Sequence, residues 1–212
     1  MSALPQTARR WLVRVYNEPM SGRDEVKPAA PGVKLTYEDF LLFPDDGKRH
    51  ELIDGEHYVT ASPNLKHQAI ALNLGAMIWN YLQQHPVGRA FANPIDVVFS
   101  NFDVVVPDVQ FISRERQEIL TKQNVRGAPD LVVEIGSPST RKRDETIKRR
   151  LYEQCAVSEY WVIDPELDTI KVHRRVDERY VRVVELSLEN GDVLTTPLLP
   201  GLELPLSKIF EN

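Results

Sequence analysis

A mixed α/β sheet with helices packed against it is the fold class this sequence predicts, and three observations carry that reading. The segment from Ser62 to Leu82 repeats its apolar residues at helical spacing. Asp130-Leu131-Val132-Val133-Glu134-Ile135 is an almost continuous apolar run, the pattern of a central strand covered on both faces. Along the chain the order is helix, strands, helix, strand, then an antiparallel extension, which sets helices against a mixed sheet.

Residues 1–33 hold Pro5, Pro19, Pro28, Pro31, Gly22 and Gly32 with little periodicity, and read as a partly ordered N-terminal extension. Within it, Ala8 to Tyr16 could form a short helix or strand. The globular domain is expected over residues 34–212. Thr36 caps a short helix over Tyr37 to Leu42. His50 to Ile53 and Glu56 to Val59 flank Asp54-Gly55, the signature of a hairpin with a type I′ turn.

Ser62-Pro63 suits an N-cap followed by proline in the first helical position. In the helix that follows, Ile70, Leu74, Met77, Ile78 and Tyr81 mark the core side, and Lys66, Asn73 and Asn80 the solvent side. Strands are expected at Ala90 to Ala92, at Ile95 to Phe99, and over Val104 to Ile112 with a bend at Pro107. After the strand 130–135, Ser137 to Thr140 forms a loop and cap for a second helix, Arg141 to Cys155. Glu159 to Asp164 is a strand stopped by Pro165. Ile170 to His173, Tyr180 to Glu185 and Val193 to Thr195 read as a meander, and Asn190-Gly191 supplies a turn.

The composition excludes several function classes. One cysteine, Cys155, among 212 residues rules out an intrachain disulfide and a multi-thiolate zinc site. A net charge of −5 argues against indiscriminate coating of nucleic acid, so any phosphate contact must come from a local basic patch. No apolar run is long enough to span a bilayer, and Arg9, Arg10 and Arg14 break up any signal-peptide pattern. A cytoplasmic protein with no membrane partner is expected. Phosphate-binding glycine loops, zinc-protease motifs and nucleophile elbows are missing.

What remains is carboxylates in unusual places. Asp108 follows a proline inside a valine-rich strand, and Glu134 closes a strand expected to be buried. A buried carboxylate costs several kcal/mol unless paired, hydrogen-bonded or metal-bound. Two at the ends of neighbouring strands would make a hard oxygen site for Mg²⁺ or Mn²⁺. The bland alternative is a pair of strand-end residues in water or in salt bridges.

Asp144, Lys148 and Tyr152 recur every four residues, one helical stripe bordering Ile147 and Leu151, the expected core face. Lys148 would then point toward the carboxylates, where it could hold or deprotonate a water or offset phosphate charge. Otherwise it forms an exposed ion pair with Asp144. Arg141, Lys142, Arg143, Arg149 and Arg150 could track a phosphate backbone or simply form a solvated face. Glu51 can reach the site as an accessory acid or lie at the surface. His67, on the core side of its helix, is an accessory candidate or a satisfied half-buried histidine.

Glu51-Leu52-Ile53-Asp54-Gly55-Glu56, Ser62-Pro63, His67 and Pro107-Asp108 together resemble the Uma-two restriction-endonuclease family, within the PD-(D/E)XK nuclease superfamily. Pro129 to Ile135, Ser137 to Thr140, Asp144, Lys148, Tyr152, Glu159 to Pro165 and Pro200-Gly201-Leu202 extend the resemblance over residues 34–210. It implies a restriction-endonuclease-like mixed central sheet flanked by helices, and a divalent-metal phosphodiesterase site. Asp108 matches the motif's aspartate and Glu134 its second acid. The motif's lysine position holds Gly136, and Lys148 on the following helix fits a migrated lysine. On this reading Asp108, Glu134 and the Ile135 carbonyl hold Mg²⁺ or Mn²⁺, and the substrate is DNA with RNA as the alternative. A homodimer is expected because duplex cutting usually needs two active sites and symmetric pairing is the commonest oligomer. The rival class is a non-catalytic nucleic-acid- or protein-binding module that keeps the fold.

Overall fold

The computed structural model describes residues 32–60, 62–92, 94–137 and 140–211. The expected N-terminal extension falls almost wholly outside the described residues. Short helix α1 (Tyr37–Phe40) opens the described chain, closed by a full capping box in which Thr36 and Asp39 satisfy each other's backbone N–H. Strands β1 (Arg49–Ile53) and β2 (Glu56–Thr60) form the expected hairpin. Asp54 and Gly55 both take positive φ, 53° and 74°, as a type I′ turn requires.

Helix α2 (Leu65–Gln84) begins later than expected, because Asn64 and not Ser62 supplies the cap, its Oδ1 accepting from the His67 N–H at 2.9 Å. The strands β3 (Gly88–Phe91), β4 (Val97–Val98), β5 (Val104–Val105), β6 (Val109–Ser113), β7 (Val125–Arg126), β8 (Leu131–Ile135) and β9 (Glu159–Asp164) follow, with a 3₁₀ segment Arg114–Ile119 between β6 and β7. The second long helix comprises α3 (Arg141–Arg143), a π-helical turn Asp144–Lys148 and α4 (Arg149–Gln154). Strands β10 (Thr169–Val176), β11 (Arg179–Ser187), β12 (Val193–Leu194) and β13 (Leu204–Pro205) and helix α5 (Leu206–Ile209) complete the described chain.

The single sheet expected from the sequence is in fact two sheets and a ribbon. One has the order β2-β1-β5-β4-β7, the other β11-β10-β9-β8-β6-β3, and β12 pairs with β13. The fold is mixed: β8 runs parallel to β9 and β4 parallel to β7, while the remaining pairs are antiparallel. Two expectations change. The strand expected over Val104 to Ile112 divides, because Pro107 cannot donate to a ladder. Its first half joins the five-stranded sheet and its second half the six-stranded one, so Asp108 stands at the crossing. The third strand of the expected meander pairs with β13 and not with β11.

Alternation along β8 sets the two cores. Leu131, Val133 and Ile135 pack with Ile70, Leu74, Ile78 and Leu82 of α2 and with the C-terminal Leu199, Leu204 and Ile209. Val132 faces the opposite side, among Leu151, Tyr152, Tyr160 and Val162. Glu134 shares the parity of Val132, so its carboxyl enters this second layer. Among the described residues no helix is long and apolar enough to cross a membrane.

Candidate active site

Asp108, Glu134 and Lys148 line one cavity of about 150 Å³, together with Arg49, Glu51, His67, Arg143 and Asp144. Local structure explains the convergence. Asp108 immediately precedes β6, which pairs with β8, and its N–H donates to the Val133 carbonyl at 3.2 Å. Its Oδ2 accepts from the Ile135 N–H at 2.8 Å, so the backbone one residue beyond Glu134 ties the two acids together. Arg49 Nη1 donates to Oδ1 at 2.7 Å, and His67 Nε2 lies 3.2 Å from Oδ2. Burial pushes the Asp108 carboxyl up, but these partners outweigh it and hold the group down at about 2.

Glu134 lives in the opposite regime. It is fully buried, and burial first, then the neighbouring carboxylates Asp144, Asp108 and Glu51, push it up to about 8 against the pull of Lys148. Lys148 Nζ donates to Glu134 Oε1 at 2.9 Å and lies 2.7 Å from Glu51 Oε1. The Tyr152 hydroxyl donates to the same Glu134 oxygen at 2.5 Å. Burial works to lower the lysine, but Glu134, Glu51 and Asp144 raise it well above its ordinary value, so it is a cation here. The exposed Lys148–Asp144 pair considered from the sequence is not what forms.

Glu51 is not at the surface: it is completely buried, and its Oε1 also accepts the Val106 N–H at 3.0 Å. His67 is buried beside Asp108, and among the described residues its Nδ1 has no hydrogen-bond partner. Asp144 is buried, among the described residues its Oδ1 has no hydrogen-bond partner, and burial raises its pKa. Tyr152 is buried over its whole surface.

The π turn accounts for one misjudged face. A π turn takes up an extra residue. With it, Asp144, Lys148, Leu151 and Tyr152 turn inward, while Ile147, expected on the core side, is exposed. The basic cluster also disperses. Arg141 pairs with Asp164. Arg143 enters the cavity, donating to Thr60 Oγ1 at 2.6 Å and standing 3.3 Å from Glu51 Oε2. Arg149 Nε donates to the Glu145 carbonyl at 3.1 Å, and of the group Lys142 and Arg150 are exposed. Helical rotation sends these cations in different directions, so Lys142 and Arg150 face solvent while Arg143 lines the cavity.

Sequence reasoning missed Arg49 and the cavity role of Arg143. A signal for Arg49 existed: it alternates with Glu51 on β1, so both project from the same face of the strand. Nothing local marked Arg143, because its partners Thr60 and Glu51 come from a distant hairpin.

Among the described residues, no three His, Cys, Asp or Glu side chains cluster as a ready metal cage. The donor set could nonetheless hold a hard cation that keeps most of its own water, as Mg²⁺ does. Four carboxylates face three permanent cations around the cavity. Among the described residues Asp144 Oδ1 is buried without a hydrogen-bond partner and Glu51 Oε2 has only the ion-pair contact of Arg143 at 3.3 Å, and the cavity has room for several waters at about 30 Å³ each.

Comparison with known proteins agrees with this architecture. The Uma2 family model, described as "Putative restriction endonuclease", matches residues 37–207. An uncharacterized protein of Synechocystis sp. is 26% identical over 153 residues, covering 71% of this chain and 80% of its own. A crystal structure from Anabaena variabilis, of "a putative nuclease belonging to DUF820", superposes with a TM-score of 0.69 at 23% identity, covering 83% of this chain and 97% of that one. That likeness speaks for the fold. The family match spans all the elements that build the cavity, from the β1–β2 hairpin to the helix carrying Lys148, and the chain belongs to the Uma2 family.

Proposed function

We propose that this chain is a divalent-metal-dependent endonuclease that hydrolyses DNA phosphodiester bonds in the cavity around Asp108, Glu134 and Lys148. The observation that carries the reading is Lys148 Nζ, 2.9 Å from Glu134 in a cavity that Asp108 also lines. Asp108, Glu134 and the Ile135 carbonyl would hold Mg²⁺ or Mn²⁺. Such an ion supplies Lewis-acid polarisation of the phosphate and a more acidic water.

The chain's own residues do the rest. Lys148, protonated and buried, offers N–H donors to the attacking water and to the charge that grows on the phosphoryl oxygens. Glu51 and Tyr152 fix the lysine and Glu134 against each other, which removes rotamer freedom at the reacting centre. Arg49 and His67 hold Asp108 ionised. Lys142 and Arg150, exposed on the helix that carries Lys148, are the cations free to meet the flanking phosphate backbone.

The test is incubation of the purified full chain with supercoiled plasmid and Mg²⁺ or Mn²⁺, with chelator and a Glu134→Gln variant as controls. Nicking that needs both the ion and Glu134 is the expected result. Cleavage of an RNA substrate alone would replace the substrate class. Tight nucleic-acid binding without turnover of either substrate would establish the non-catalytic module.

A further inference from the structure

The outer face of α2 carries Leu65, Leu72 and Trp79, which are 90%, 70% and 57% exposed. They are spaced by seven residues and so lie along one side of the helix. Ala69 and Ala76 fall between them, giving an alternation of four and three that matches a coiled-coil seam of large and small residues. A solvated helix face would carry charge, yet Lys66 is the one Lys, Arg, Asp or Glu in this 20-residue helix, and it is engaged by Asp168 at 2.8 Å. That pairing sets the β9–β10 turn, which carries exposed Leu167, beside the first turn of the helix.

We propose that this face is the contact between two copies of the chain, packed antiparallel about a two-fold axis at Leu72. The spacing is symmetric about that residue. A partner helix running the opposite way sets Leu65 against Trp79, Leu72 against Leu72 and Trp79 against Leu65, the self-complementarity an isologous interface requires. The small residues between them let the helices approach to the usual 8–10 Å. A lipid surface is a poorer match, because interfacial helices flank their apolar face with Lys and Arg. A charged partner is poorer still, since the face has no charge to complement and interface cores are depleted in charge.

The size of the strip sets the strength. A helix of 20 residues is about 30 Å long and about 10 Å wide, so the strip covers roughly 300 Å² per copy. A standard interface covers about 800 Å² per partner. A strip of that size gives a weak dimer that forms as concentration rises. The inference does not depend on the nuclease reading, although the inner face of the same helix carries His67.

Sedimentation of the full chain from about 1 μM to about 500 μM, the range of weak association, tests it. The mass should rise from monomer toward dimer, and Leu72→Glu should hold the chain monomeric with an unchanged circular-dichroism spectrum. The exposure of Leu72 in the single chain makes that substitution harmless to folding. A wild-type chain that stays monomeric throughout, or a Leu72→Glu variant that dimerises equally well, would overturn the proposal. Register is read by oxidative cross-linking in a Cys155→Ser background. Leu72→Cys should link to itself, and Leu65→Cys should link to Trp79→Cys in a mixture. Trp79→Cys linking to itself in place of these would mean another arrangement and sink the antiparallel pair.

Discussion

The two long helices of this protein break the amphipathic rule in opposite ways. Helix α2 has one charged residue and leaves Leu65, Leu72 and Trp79 in solvent. The helix over Arg141–Gln154 has nine charged residues among fourteen, yet it buries Asp144 and Lys148 and exposes Ile147. An ordinary surface helix hides its apolar stripe and solvates its charges. Each departure is costly for a lone folded domain, so each points outside folding for its reason. In the charged helix the buried ions belong to the cavity around Glu134. In α2 the exposed apolar stripe is the surface that the proposed contact with a second copy would use.

The contrast can be broken most decisively at Glu134. Glu134→Gln keeps the shape but removes the charge that would hold an ion. Several kcal/mol of charge stabilisation correspond to a rate loss of about a thousandfold or more at about 1.4 kcal/mol per decade. Plasmid nicking measures it, and retained activity would show that the carboxylate serves the fold alone. Lys148→Met should slow cleavage by roughly 10²–10³, the worth of one preorganised donor to developing charge, and still bind metal by calorimetry. Lys148→Arg should recover part of that loss if the lysine acts as a fixed cation, since arginine stays protonated.

The same pair separates function from stability. Removing Lys148 alone strands Glu134 without its cation and leaves Glu51 with Arg143 alone, and breaking a buried pair from one side costs about 3–5 kcal/mol. Urea unfolding should register that loss, and the double variant Lys148→Met/Glu134→Gln should be less destabilised than the sum of the two singles. Additive losses would mean that the two groups do not share an interaction. On α2 the opposite faces should respond unequally. Leu74→Ala, in the core, should cost about 2–5 kcal/mol, while Leu72→Ala should change monomer stability by no more than about 0.5 kcal/mol. Equal losses would place the outer stripe inside the monomer's own packing.

The smallest effect lies beside the charged helix. Burial first, then Arg149, Arg182 and Lys171, lower His173 from 6.5 to about 4. The folded state therefore favours the neutral ring. Its contribution to stability is present above about pH 6.5 and is lost as pH falls toward 4, where the unfolded chain binds the proton more readily. Arg149→Gln should raise the His173 pKa by removing one repelling charge, which an NMR titration of the ring would register. A titration unchanged by the substitution would assign the whole shift to burial.

Much of the fold was legible because it is written in short-range patterns. Thr36 and Asp39 form the expected cap, Asp54-Gly55 the expected turn, and Glu159–Asp164 the expected strand. Glu134 stood out because a carboxylate at the end of an apolar strand needs a partner, and Lys148 because its spacing from Asp144 and Tyr152 is local to one helix. The faces were less legible. Asn73 looked like a solvent residue but donates to the Ile209 and Glu211 carbonyls at 3.3 and 2.8 Å. The apolar stripe one residue earlier is the exposed one.

Local spacing and turn chemistry thus determined which segments are helix or strand and which acids and lysine are out of place. Only the tertiary structure decided that Pro107 carries the chain from one sheet to the other and sets Asp108 at the crossing. It also decided that Glu51 is buried, that Arg49 and His67 hold Asp108, and that Arg143 turns into the cavity. The physical reason is the range of the forces involved. A cap, a turn or a periodic face is settled by neighbours within a few residues. The partner of a buried charge is settled by which distant strand can neutralise it, as β1 does for the helix nearly a hundred residues further along the chain.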